Sequence, residues 1–285
     1  MRKFMLITNA YKDKSLALSE KIVGYIKERG GTAAICVSCA EEGVVCDFAL
    51  ESIPEDTECI LVLGGDGTLI RAATKVQSMQ IPLIGVNLGR LGYLCELEEA
   101  TVFSAIDKLM ADAYMTEERI MLCGGKSMGD STRLALNDIA IHWSGDLSML
   151  ELMVYVNGEL LTTYHADGVV IATPTGSTGY SMSAGGPIMD PRARMFVLTP
   201  INAQNLNSQS IVLGGEDVVE IEMRSRGYQA NQRAGVSFDG DLGLYLKAGE
   251  RVEIKRASNI VKICKLSNRS FLEILSKKMR AKEDL

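Results

Sequence analysis

The chain has 285 residues, room for one large domain or two ordinary ones at roughly 100–200 residues each, and its 47% hydrophobic and 23% charged residues exclude wholesale disorder. Thirty Lys and Arg against 36 Asp and Glu leave a net charge of −6, which argues against nucleic acid as a partner because no basic excess exists to displace phosphate counterions. No apolar run approaches the roughly 18–20 residues of a membrane span, the run at Phe4 to Ile7 is too short for a signal peptide, and seven scattered cysteines do not make a secreted disulfide scaffold, so no membrane contact and a cytoplasmic location are expected.

Residues 4–8 read as a strand, followed by a helix that Ser15 can cap and Gly30-Gly31 can stop, with Leu16, Ile22, Val23 and Ile26 on one face. Strands follow at residues 32–37, 59–63 and 81–86, with helices at 68–76 and 101–114. The uniformly apolar Cys59-Ile60-Leu61-Val62-Leu63 suits a strand buried on both faces. This alternation predicts βαβ units around a parallel sheet. Past Glu117 the period changes. Strands are expected at 133–143, 150–156, 159–164, 169–172, 195–198, 210–213, 218–223, 236–238, 244–246, 251–255 and 260–264, and Asn157-Gly158 is a strong hairpin signal. The expected division is an α/β nucleotide-binding domain at 1–117, a β-rich domain at 118–268, and a C-terminal helix at 269–285 that packs back on the N-terminal domain.

Gly64-Gly65-Asp66-Gly67-Thr68 follows the buried strand and opens a helix, where ligands bind at the carboxyl ends of an open α/β sheet. Its glycines permit positive φ and close backbone approach, and the helix start presents N–H groups to phosphate oxygens. A carboxylate inside such a turn repels a polyphosphate unless it works through a divalent metal or accepts a proton from a hydroxyl; the plainer alternative is a helix cap. Neither G-x-x-x-x-G-K-[ST] nor G-x-G-x-x-G is present. The loop from Asn87 to Leu94 falls on the same sheet edge, and Arg71 and Arg90 are the basic residues nearest these turns.

Asp167-Gly168 leads through a strand into Thr173-Pro174-Thr175-Gly176-Ser177-Thr178-Gly179-Tyr180-Ser181-Met182-Ser183, a segment suited to hydrogen-bonding a sugar-rich ligand, with Tyr180 offering a flat face or a hydroxyl. Asn137-Asp138, an amide beside a carboxylate, suits the hydroxyls of a ribose. Cys36 and Cys39 lack a second CxxC, and His142 and His165 are the only histidines, so two ordinary thiols are expected. Trp143 reads as packing, and Glu41-Glu42 and Glu98-Glu99 as solvated surface.

In order and spacing, these motifs together with Leu198-Thr199-Pro200-Ile201 resemble the NAD kinases. Similar glycine-aspartate turns occur in diacylglycerol, sphingosine and 6-phosphofructo-kinases; the T-P-T-G-S-T-x-Y block after D-G is the specific element. The resemblance implies a Rossmann-like α/β domain followed by a β-sandwich-like domain, a homodimer or homotetramer, and transfer of the ATP γ-phosphoryl group to the 2′-hydroxyl of the adenosine ribose of NAD with Mg²⁺ or Mn²⁺. By position it gives Asp66 the catalytic role, Gly64, Gly65, Gly67 and Thr68 the phosphate turn, and Gly67 and Arg71 places near the same ligand. It sets Asn137 and Asp138 at the NAD adenosine, His165 and Asp167 near the nicotinamide end, and Thr178, Gly179, Tyr180, Ser181, Met182 and Ser183 around the dinucleotide. The family's usual Glu is Asp138 here, its usual Ala is Gly179, and its usual His or Arg after Thr-Pro-Ile gives way to Asn202, Gln204 and Asn205. The rival readings are a lipid or sugar kinase with the same turn, and a dinucleotide-binding module without turnover.

Overall fold

The computed structural model describes residues 1–39, 48–89, 92–126, 132–144, 149–204, 208–224, 232–267 and 270–280. Glu41, Glu42, Arg90 and Asn205, singled out above, lie outside the described residues, as does the side chain of Cys39. The chain divides into two compact units, Met1–Glu118 with Val261–Leu285, and Arg119–Ile260.

In the first unit β1 (Lys3–Asn9), α1 (Ala17–Glu28), β2 (Thr32–Cys39), β3 (Cys59–Gly64), α2 (Asp66–Val76), β4 (Leu83–Asn87), β5 (Leu97–Glu98) and α3 (Val102–Met110) follow in chain order. The strands run parallel in the order β2-β1-β3-β4, with β5 beside β4. β3 is buried along its whole length, as its unbroken apolar sequence requires. Leu6, Ile22, Leu61, Ile84 and Ile106 interlock the sheet with α1 and α3. One expectation fails at the start of α1. Ser15 and Leu16 have positive φ, and the buried Asp13 carboxylate accepts the N–H groups of Leu18 and Ser19, each at 2.9 Å. A carboxylate has an oxygen for each of the two donors, whereas a serine hydroxyl has one, so Asp13 wins the cap.

The chain continues through β6 (Met115–Lys126), β7 (Arg133–Ala135), β8 (Asp138–Trp143), β9 (Leu150–Val156), β10 (Glu159–Ala166), β11 (Gly168–Ala172), α4 (Tyr180–Ser183), β12 (Met195–Ile201), β13 (Ile211–Gly214), β14 (Val218–Arg224), β15 (Arg233–Phe238), β16 (Asp241–Lys247) and β17 (Arg251–Lys265). Within the second unit β10-β9-β14-β17 form one antiparallel sheet and β13-β12-β11-β8-β15-β16 another. Their inner faces share a core that includes Leu152, Val154, Ile171, Phe196, Ile221 and Val236, so this unit is a β-sandwich. Asn157 and Gly158 both have positive φ and turn β9 into β10 as their sequence predicts. The strand expected at 133–143 is broken at Leu136-Asn137, and the two expected at 251–255 and 260–264 are one. From Val261 onward β17 belongs to the first unit, where Ile263 pairs with Leu83 of β4.

α5 (Phe271–Arg280) also belongs to the first unit. None of its residues is buried, and Leu272 and Met279 are 69% and 59% exposed. Of the apolar stripe, Phe271, Ile274 and Leu275 are half-buried and Leu272 stands out. Among the described residues no helix is long and apolar enough to cross a membrane.

Candidate active site

The turn after β3 places Asp66 as the first residue of α2. None of Gly64, Gly65 and Gly67 has positive φ, contrary to the sequence expectation; at Gly64 the requirement is close approach. A Cβ there would fall 2.4 Å from the Thr68 hydroxyl, which accepts the Gly65 N–H at 3.5 Å. The following N–H groups start the helix and have no intrahelical acceptor, the kind of donor set that an anion can use.

The Asp66 carboxylate turns away from its own helix toward residues 92–95. Its Oδ2 accepts the Tyr93 N–H at 2.6 Å, and its Oδ1 accepts those of Leu94 and Cys95, each at 3.2 Å. A Cβ on Gly92 would lie 1.9 Å from Oδ1, so this carboxylate can sit here only because residue 92 is glycine. Burial and then the Asp66 charge push the Cys95 thiol and the Tyr93 phenol up. The Cys95 S–H, a weak donor, also faces the carboxylate. Lys278 of α5 lies 3.7 Å from the centroid of the Tyr93 ring. Arg71 is exposed on α2.

In the second unit, Asn137 and Asp138 stand where β7 stops and β8 begins. Asp239, in the Asp239-Gly240 turn between β15 and β16, explains the break. Its carboxylate accepts the N–H groups of Leu136, Asn137 and Asp138 at 2.8, 2.7 and 3.2 Å, and its own N–H donates to the Asp138 carbonyl at 3.0 Å. Three backbone donors are thereby drawn out of the ladder, and the strand must open. Asn137 Oδ1 is buried with no hydrogen-bond donor, an acceptor that a ligand hydroxyl or amine would satisfy. Asp138 is buried, and burial followed by the Asp239 charge raises its carboxyl to about 7. Near neutrality it is a carboxyl that can donate as well as accept.

The hydroxyl-rich segment splits in two. Thr173, Ser177 and Ser181 are buried, and their hydroxyls bond Leu136 O at 2.6 Å, Pro174 O at 2.7 Å and the Thr199 hydroxyl at 3.3 Å. Their hydroxyls brace the turn from within. A Cβ on Gly176 would fall 2.1 Å from the Asn137 carbonyl, so glycine here lets the two turns touch. Thr178 donates to Thr175 O at 3.3 Å. Gly179 and Met182 are half-buried, Ser183 is exposed, and Tyr180 is 44% exposed. Burial and then the charges of Asp138 and Asp167 raise the Tyr180 phenol, which places these three side chains in one neighbourhood. Asp167 is exposed and accepts the Asn202 amide at 2.9 Å, so Asn202 has a partner that its sequence did not reveal. His165 is half-buried on β10.

Asp239, beside Asp138, and Gly92, beside Asp66, are residues that sequence reasoning did not assign to the candidate turns. Asp239-Gly240 is a hairpin signal of the same kind as Asn157-Gly158, and it could have flagged the turn but not what the carboxylate holds. Among the described residues no three His, Cys, Asp or Glu side chains converge as a metal site. Cys36, Cys59, Cys95, Cys123 and Cys264 are free thiols.

An acid anchored by backbone amides at a helix start, on an α/β unit joined to a β-sandwich, is an arrangement that suits a two-domain phosphotransferase. Two solved structures share this fold. Yeast NADH kinase complexed with NADH has a TM-score of 0.77 and 22% identity over 92% of this chain and 83% of that one. An NAD kinase from Archaeoglobus fulgidus in complex with ATP has a TM-score of 0.77 and 24% identity over 98% of this chain and 99% of that one. The model of the ATP-NAD kinase N-terminal domain matches residues 4–114, and that of the C-terminal domain matches 136–266. An NAD kinase of Agathobacter rectalis is 62% identical over 98% of this chain and 99% of its own length. One of Lachnoclostridium phytofermentans is 38% identical over 98% and 99%. The chain belongs to the ATP-NAD kinase family and is an enzyme of that family.

Proposed function

We propose that this chain transfers the γ-phosphoryl group of ATP to the 2′-hydroxyl of the adenosine ribose of NAD, making NADP, with Asp66 as general base. The observation that carries this reading is the Asp66 carboxylate, held by three backbone N–H groups at the start of α2. A ribose hydroxyl is a weak nucleophile near neutrality, and a positioned base contributes about 10²–10⁴-fold. The hydroxyl is a stronger donor than the Cys95 thiol and displaces it at the carboxylate. Asp66 takes the proton, the 2′-oxygen bonds to phosphorus, and ADP leaves with the bridging oxygen. The amides of Gly65, Gly67 and Thr68, beside Gly64, hold the triphosphate, with Arg71 nearby. The rest of the barrier falls through alignment and charge neutralisation.

Asn137 and Asp138 bind the adenosine, and the orphan Asn137 Oδ1 is an acceptor awaiting a ligand donor. Thr178, Gly179, Tyr180, Ser181, Met182 and Ser183 wrap the dinucleotide, Ser181 from beneath, and Asp167 and His165 lie toward the nicotinamide end. Mg²⁺ or Mn²⁺ enters on the triphosphate as part of the substrate, in keeping with the lack of a convergent protein ligand set among the described residues. A cytoplasmic location suits the free thiols. A homodimer or homotetramer suits the exposed Leu160, Leu161, Val212, Leu242 and Tyr245 on β10, β13 and β16, the strands that end their sheets.

The test is an assay of the full chain with ATP, NAD and Mg²⁺, read by an NADP-specific dehydrogenase, beside parallel arms with a sphingoid base and fructose 6-phosphate. NADP should form only in the NAD arm, stop on chelation, and resume with Mg²⁺ or Mn²⁺. Phosphorylation of the lipid or sugar with none of NAD would overturn the reading.

A further inference from the structure

The turn between β1 and α1 carries a residue that no motif marks. Lys12 is exposed, yet its backbone is fixed: its N–H bonds the Asn9 carbonyl at 3.0 Å, and the next residue is the buried Asp13 that caps α1. Its side chain reaches across to the glycine turn. A Cβ on Gly65 would meet the Lys12 ammonium at 2.9 Å and nothing else within 4 Å, and one on Gly89 would meet it at 3.8 Å. The Lys12 charge is also felt at the Cys95 thiol, which it pulls down against burial. Among the described residues no carboxylate stands within ion-pair distance of Lys12. Gly65 has φ −141°, which any residue adopts, so what its missing side chain leaves open is the space this ammonium uses.

We infer that Lys12 is a catalytic residue whose ammonium binds the γ-phosphoryl group in flight, beside the helix-start amides. The inference rests on the reading of Gly64–Thr68 as the triphosphate turn. In the transfer the bond between the 2′-oxygen and the γ-phosphorus forms, and the bond from that phosphorus to the β,γ-bridging oxygen breaks. The hydroxyl proton goes to Asp66, the bridging electron pair leaves on ADP, and Lys12 keeps its proton throughout. Charge spreads over the three non-bridging oxygens as the bonds exchange. The helix-start amides are fixed dipoles, whereas a mobile lysine can follow the phosphorus from donor to acceptor as a point charge.

The experiment compares the parent chain with Lys12→Met and Lys12→Arg in the NADP-forming assay. Lys12→Met should lower kcat about 100-fold with the KM for NAD within about twofold, because the ammonium meets phosphoryl oxygens and not the dinucleotide. Lys12→Arg should recover part of the loss, since the charge returns on a different geometry. Unchanged melting temperatures will show that the exposed substitution leaves the fold intact. A Lys12→Met kcat within threefold of the parent overturns the inference. A parent chain that makes no NADP overturns the underlying reading instead, so the two failures are distinguishable.

Discussion

Asp66 in the first unit and Asp138 in the second each sit beside a glycine-rich turn, yet the backbone treats them in opposite ways. Three N–H groups converge on Asp66 and leave it an anchored acceptor. Three N–H groups also lie next to Asp138, but Asp239 takes all of them. Asp138 is left with burial and a like charge, and its carboxyl rises to about 7. One carboxylate is anchored by the backbone, and the other is left to hold its proton near neutrality. Two identical side chains can therefore be set to different tasks within their own units, with the local amide supply deciding which is anchored and which stays protonated.

The comparison breaks most sharply at its first member. Asp66→Asn should lower kcat by about 10²–10⁴-fold with the KM for NAD nearly unchanged, and wild-type turnover would remove Asp66 from the chemistry. Gly92→Ala should cost nearly as much while Asp66 remains in the chain, because the new methyl would stand 1.9 Å from Oδ1. A mild Gly92→Ala effect beside a severe Asp66→Asn effect would show that the loop can yield.

A smaller effect is expected at the second turn. Asn137→Ala should raise the KM for NAD about tenfold, the scale of one lost hydrogen bond, and leave the KM for ATP within about twofold. Equal changes for both substrates would count against the ribose assignment. The smallest effect is on stability. The folded value of Asp138, about 7, lies above the 3.8 of a free aspartate, so the folded chain loses stability as pH climbs through that window and keeps it below. Asp138→Asn carries no proton to lose. Its melting temperature should gain on the parent's by roughly 2–4 °C between pH 5 and pH 8, and a constant difference across that range would show that Asp138 ionises freely in the fold.

Much of this was legible in the sequence because its signals are local. The glycine-aspartate turn, the D-G strand leading into the hydroxyl block and the Asn157-Gly158 hairpin each announce themselves within a few residues. Asp239 does not: its partners are about a hundred positions away, and its action depends on β15 lying beside β8. The same long-range bond is why residues 133–143 read as one strand and fold as two. Polar Ser258-Asn259 gave the opposite error, since they mimic a turn inside a strand whose pairing carries straight through. β6 escaped notice because Glu117, Glu118 and Arg119 hide its apolar stretch from Ile120 to Cys123. Ser15 looked like a cap because cap preference is a statistical cue, and the choice between it and Asp13 is made by the reach of two oxygens.

The passage of β17 from one unit into the other has a consequence for how the chain matures. β4 acquires its pairing with Ile263 only after every residue of the sandwich has been synthesised. A nascent chain ending anywhere before Val261 thus carries a β4 whose border is covered by β5 at Val86 and Asn87 but still open at Leu83, where another polypeptide can pair. The interval between translating Leu83 and translating Ile263 is the window in which that stretch of strand waits for its own partner.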